Sequence, residues 1–293
     1  MFPTYPIVLP FKHTEQEVVD FHGAKSQQVI PGVPQFDNRR VVDGQRKMIF
    51  HKQLPVTSEG RNFELRSKVI GVYDKGKAGS VVEIQQEIVD KETGEVYSTA
   101  VGSGFYVGQG NWGGPKGGKA LPSLDQGPAT VNYPPPKGRN PDVVCEYQTT
   151  ALTPLLYRYG HTFAWVYFQQ GSLSINHLSS LNGDYNPLHA DPEPGKKMGF
   201  GGVIIHGLFS WNMAAHAILQ NLGGSNPQNL KEFQARFASP VRPGDKLTTE
   251  MWKTDKMENG FEEVIFMTKN QDGKVVLSNG RALVKLAGFK SKL

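Results

Sequence analysis

The stretch GDYNPLHADP, residues 183–192, holds Asp184, Asn186 and His189, with Asp191 close behind. A carboxylate and an imidazole converging on one water can move a proton in either direction. Pro187 and Pro192 restrict the backbone, so the loop can keep Asp184 and His189 at a fixed separation. Asn186 can hold a neighbour in place without titrating. A solvent turn draws on Gly, Asn, Asp and Pro, but it has no need of the histidine. IIHGLF, residues 204–209, then places Gly207 at the start of an apolar helix. The Gly207 N–H is a first-turn donor without an intrahelical partner, and the helix dipole favours negative charge there. Those are the makings of an oxyanion site.

Metal chemistry fits this pattern less well. DYNPLHADPEP opens like a calcium loop but lacks Gly at its sixth position and Glu at its twelfth. Asp184, His189 and His206 are zinc-type ligands, yet no histidine pair at helical spacing accompanies them. The single cysteine, Cys145, excludes an intrachain disulfide and a cysteine-based zinc site. No metal and no redox cofactor is expected.

The elements that must position these residues are legible as patterns. HGLFSWNMAAHAILQNL, residues 206–222, is apolar on most faces and closes at Gly223–Gly224, which predicts a buried helix. Residues 54–107 and 239–286 share one rhythm. Each opens on Pro-Val and a glycine turn (Pro55, Val56 and Gly60; Pro240, Val241 and Gly244) and continues as three alternating strands separated by charged turns. Two copies of an antiparallel meander predict a fused duplicate. A long buried helix wrapped by such a sheet is the hot-dog arrangement. The expected fold is therefore α+β, a double hot dog with one continuous sheet and the long helix in the C-terminal unit. The expected units are 1–110, a Pro/Gly-rich linker over 111–142, and 143–293, with 14–28 as a weaker counterpart helix. GGKA in the linker is not a phosphate loop, because no Ser or Thr follows the lysine. GSGFYVG lies inside a strand and has no dinucleotide-fold context.

Composition sets outer bounds. Of 293 residues, 38% are hydrophobic and 20% charged, enough for one large or two modest domains. No apolar run reaches membrane-spanning length, and prolines break the apolar opening MFPTYPIVLPF, which has no basic lead; no signal peptide or membrane anchor is expected. The net charge of +5 is spread rather than clustered, and no nucleic-acid-binding motif accompanies it. The chain ends in Ser291, Lys292 and Leu293, a peroxisomal address read by an import receptor.

GDYNPLH and IIHGL together resemble the type 2, R-specific 2-enoyl-CoA hydratases. These are MaoC-like dehydratases, whose motif is G-D-x-N-P-[LIV]-H, and the likeness runs from FPTYPIVLPF to RALVKLAGF. The resemblance implies reversible hydration of a trans-2-enoyl-CoA to the 3R-hydroxyacyl-CoA in peroxisomal β-oxidation. Asp184 and His189 would activate water, Asn186 would support them, and the Gly207 N–H would hold the thioester oxygen. It implies acyl-CoA contacts at Asp43, Gly44, Lys75, Tyr185, Pro187, Leu188 and Phe237, with Asp43 acting through its backbone. It implies a homodimer and no cofactor. Two departures accompany it. The family carries a segment before FPTYPIVLPF, which gives the expectation that Met1 is an internal start. The family also reads LLYR-L-x-GDxNPLH without a break, whereas residues 159–180 intervene here. Removing them restores LLYRLNGDYNPLH, the mark of a translated intron; the alternative is a real surface loop. A peptide joining Arg158 directly to Leu181 supports the intron, and peptides from within 159–180 sink it. The competing functions are an acyl-CoA-binding hot dog silenced by these departures, a thioesterase on the same fold, and a dehydratase of secondary metabolism.

Overall fold

The computed structural model describes residues 3–11, 29–117, 131–154, 184 and 186–287. The expected helix at 14–28, the inserted 159–180, Gly183, Tyr185 and the terminal Ser291, Lys292 and Leu293 lie outside the described residues.

The described chain forms one nine-stranded antiparallel sheet. The first half supplies β1 (Val41–Phe50), β2 (Phe63–Asp74), β3 (Gly79–Asp90) and β4 (Val96–Val107). The second supplies β5 (Val143–Gln148), β6 (Leu230–Phe237), β7 (Lys246–Glu258), β8 (Phe261–Asn270) and β9 (Val275–Val284). Spatial order is β2-β3-β4-β1-β6-β9-β8-β7-β5. In each half a leading strand, β1 or β6, lies beside the last strand of the meander that follows it. Four strands of each half repeat one order, β2-β3-β4-β1 against β7-β8-β9-β6, with β5 added beside β7, and β1 and β6 pair with each other to join them, with Arg46 opposite Ala235 and Met48 opposite Phe233. The double hot-dog arrangement is therefore a continuous sheet with its seam at β1–β6.

Between β5 and β6 run the short helix α1 (Pro192–Lys197) and the long helix α2 (Gly207–Asn221). α2 begins and ends one residue inside the span its sequence suggested, and Gly224 beyond it takes the left-handed conformation at φ 61°. Trp211, Ala214, Ala215 and Ile218 are fully buried on α2. Trp211 meets Phe233 of β6 edge-on at 4.6 Å, and Phe233 stacks on Phe266 of β8 at 5.0 Å. The alanines let the helix approach the sheet closely while the tryptophan fills the space beside them. Residues 3–11 brace the same core, with Ile7 and Val8 buried and Thr4 bonded to Asn212 of α2.

The opposite face of the sheet buries an ion-pair network. Arg281 on β9 is 4% exposed and pairs with Glu232 on β6 and with Glu263 on β8 at 2.8 Å, and it also reaches Glu258. Tyr133 from the linker lies over its guanidinium at 5.0 Å. The linker residues described, 111–117 and 131–142, contain neither helix nor strand. They are pinned by polar groups: Asp74 accepts backbone N–H bonds from Asn111 and Gly113, and Asn279 donates to the Val131 carbonyl. Burial raises the Asp74 pKa, but backbone donors from 76 and 111–113 outweigh it and hold the carboxyl below its usual value.

Candidate active site

The NPLH turn is a short 3-10 helix, Pro187–His189, and its construction explains the loop's composition. Asp184 Oδ1 accepts the Asn186 N–H at 3.2 Å, and Asn186 Oδ1 accepts the Leu188 N–H at 3.1 Å. Pro187 sits at the first helical position, where a missing N–H costs nothing. Asp191 caps α1 by accepting the Glu193 N–H. The two acids therefore have different work. Asp191 closes a turn, while Asp184 both closes a turn and faces two histidines.

His189 is 8% exposed, and its Nδ1 lies 2.9 Å from the Ile204 carbonyl. A carbonyl only accepts, so Nδ1 carries a proton, and in the neutral ring the lone pair is then on Nε2, the arrangement of a base. His206 stacks on His189 with ring centroids 3.7 Å apart, and its Nε2 donates to the Asp184 carbonyl at 3.3 Å. Donor atoms of Asp184, His189 and His206 all lie within 4.8 Å of one another. The sequence pointed to His206 only as a possible metal ligand.

Gly207 is the first residue of α2. A Cβ there would lie 3.1 Å from the Asp43 carboxylate and 3.1 Å from the Phe237 ring. Glycine is needed for close approach, since its φ is not in the left-handed range. The structure thus brings together Gly207, Asp43 from β1 and Phe237 from β6. Asp43 reaches Gly207 with its side chain, whereas the resemblance favoured contact through its backbone. Gly44 forms a bulge in the β1–β4 pairing, and a Cβ on it would press Ser103 Oγ at 2.7 Å. Leu188 is buried beneath the turn. Lys75 follows β2, at the same end of the sheet as Asp43; its ammonium donates to the Lys116 carbonyl and lies 5.2 Å from the Tyr73 ring. It is not among the residues gathered at Gly207.

An acid, a histidine and a glycine helix start thus converge at the seam of a double hot dog. The MaoC like domain profile matches residues 172–275, and the MFE-2 hydratase 2 N-terminal domain profile matches residues 1–108. A probable dehydratase, NIT22, of Ajellomyces capsulatus is 44% identical, over 97% of this chain and 70% of its own length. A probable enoyl-CoA hydratase 2 of Dictyostelium discoideum is 30% identical over 97% and 80%. The peroxisomal enoyl-CoA hydratase 2 of Arabidopsis thaliana is 31% identical over 90% and 74%. The crystal structure of a MaoC-like dehydratase from Phytophthora capsici superposes with a TM-score of 0.71 at 29% identity, over 97% of this chain and 82% of that one. The chain belongs to the MaoC-like hydratase 2 family of hydratases and dehydratases.

Proposed function

We propose that this protein hydrates trans-2-enoyl-CoA to (3R)-3-hydroxyacyl-CoA, and catalyses the reverse dehydration. The observation that carries the reading is the meeting of Asp184 and His189 beside the N-terminus of α2, with the His189 tautomer fixed by the Ile204 carbonyl. One water is held between the carboxylate and His189 Nε2. Its oxygen bonds to C3 as one of its protons passes to the Asp184–His189 pair. A proton from the pair goes to C2 on the same face, and the pair returns to its starting state. The Gly207 N–H receives the thioester oxygen as it gains enolate character. Asn186 serves by capping the turn that carries His189. Asp43, Phe237, Gly44, Leu188 and Pro187 line the acyl thioester. Lys75 meets the CoA phosphates as a point charge at the sheet end.

Asp184→Asn is expected to lower hydration by on the order of 10²–10⁴-fold while acyl-CoA binding persists. Absorbance loss of a trans-2-enoyl-CoA, with chiral analysis of the product, measures the first; near-normal turnover would refute the assignment. The relatives named as peroxisomal and the terminal Ser-Lys-Leu support import into peroxisomes. Deleting Ser291, Lys292 and Leu293 is expected to leave a fluorescently tagged chain in the cytosol, and unchanged import would remove that inference. The Ajellomyces relative named as a dehydratase favours the reverse direction as the working one in some pathway, on the same residues.

A further inference from the structure

Arg46 has no role in the reaction just described, yet its surroundings are built for it. In a regular strand, residues three apart point to opposite faces. The bulge at Gly44 inserts one residue between Asp43 and Arg46 and turns both to one face. Their side chains meet there, with the guanidinium 2.7 Å from Asp43 Oδ1. Strand neighbours on both sides are small: Arg46 pairs with Gly102 on β4 and with Ala235 on β6. A Cβ on Gly102 would fall 1.9 Å from the guanidinium, so glycine at that position is what gives the arginine its space. Both side chains are largely enclosed, Arg46 at 17% and Asp43 at 23% exposure.

The other Asp43 oxygen abuts Gly207. Given the proposed hydration, on which this inference rests, a carboxylate stands beside the point where the thioester oxygen gathers negative charge. In a partly buried site a bare anion at that distance opposes the transition state by several-fold to hundreds-fold in rate. We propose that Arg46 is a positioning residue for this reaction. Its guanidinium neutralises Asp43 and keeps the oxyanion site free of net negative charge, while holding the carboxylate against Gly207 and Phe237. The effect acts on kcat, because the opposing charge is felt most where the oxygen is most negative.

Hydration of crotonyl-CoA by the full chain, its single variants and the double variant tests this. Arg46→Met is expected to lower kcat roughly 10- to 100-fold with a smaller change in KM. Arg46→Lys, which keeps the charge, retains most of kcat. Adding Asp43→Asn to Arg46→Met removes the unneutralised anion and recovers at least about fivefold of the loss. Where Arg46→Met does not fold, Arg46→Gln replaces it and the same rescue is required. Wild-type kcat in Arg46→Met, or a double variant no faster than Arg46→Met, overturns the role of Arg46. A merely structural arginine would instead lower the melting temperature with little change in kcat per folded enzyme, since a stranded Asp43 carboxylate would then cost stability and not rate. No turnover in the unmodified chain overturns the hydration reading, and this proposal with it; turnover without rescue overturns only the proposal.

Discussion

At the residue scale, the site is a set of short, specific demands on side-chain size and lone-pair direction. Gly207 shows the first. An added methyl would stand 3.1 Å from both Asp43 and Phe237, so each must yield by a few tenths of an ångström. Alanine is favoured over glycine by up to about 1 kcal/mol in a helix, which offsets part of that strain. Gly207→Ala is therefore expected to change the melting temperature by only a few degrees and to lower kcat at least about tenfold, through displacement of the thioester oxygen. Thermal melting beside steady-state kinetics checks it; a large loss of stability with unchanged kcat would contradict this account. Asp184, His189 and Gly207 were legible in the sequence because their types and spacing sit in a proline-restricted turn and a helix start. His206 was legible only in part, since stacking on another ring leaves no spacing signature. Arg46 was not legible at all: its partner three residues away looks like the wrong face until the bulge is known.

At the element scale, the alternation of Val, Ile, Phe and Thr marked both meanders, and the apolar run marked α2. The leading strands β1 and β6 were less visible. VVDGQRKMIF and LKEFQARF each carry three charged residues at irregular spacing, which breaks the alternation that marks a strand. The Arg281 guanidinium binds Glu263 and Glu232, which are 6% and 10% exposed, so removing it leaves two enclosed carboxylates without their main cation. Burial raises the Glu263 pKa, but Arg281 and Lys256 outweigh it and hold the carboxyl below its usual range. A depressed folded-state pKa contributes stability that is present above the unfolded value and lost as pH falls through the folded one. Arg281→Met is expected to cost about 3–5 kcal/mol near neutral pH. The difference from the unmodified protein should shrink in acid, as the stranded carboxylates take up protons. Urea unfolding at neutral and acid pH measures both, and an equal cost at each would show that packing, not charge, is at stake.

At the scale of the whole molecule, the duplication is visible in the sequence as a repeated rhythm. How the copies join is not, because strand order across a seam depends on contacts far apart in the chain, such as Arg46 with Ala235. The seam is where the candidate site sits. β1 brings Asp43 and Arg46, β6 brings Phe237, and the segment after β5 brings Asp184, His189 and Gly207. Lys47 on β1 also pairs with Glu232 on β6 at 3.2 Å, carrying the polar layer across. The reacting groups therefore depend on the seam more than the hydrophobic core does. In a denaturant titration, hydratase activity is expected to fall before the fluorescence of Trp211, kept as the single tryptophan, changes, since it is fully buried on the sheet-facing side of α2. Coincident loss of both would show that the seam opens only with the whole fold.

The Gly44 bulge has a bearing on how such a seam is kept true. A strand that slips by one residue along its neighbour sends every side chain to the other face. A bulge is an irregular tooth: β1 meets β4 correctly only when the extra residue falls opposite Ser103 and Gly104. In any other register the arginine loses its empty berth at Gly102, and Asp43 loses Gly207. One misfit in the weave thus acts as an index mark for the whole sheet, and a mis-set copy would betray itself by its silence toward substrate before any loss of shape.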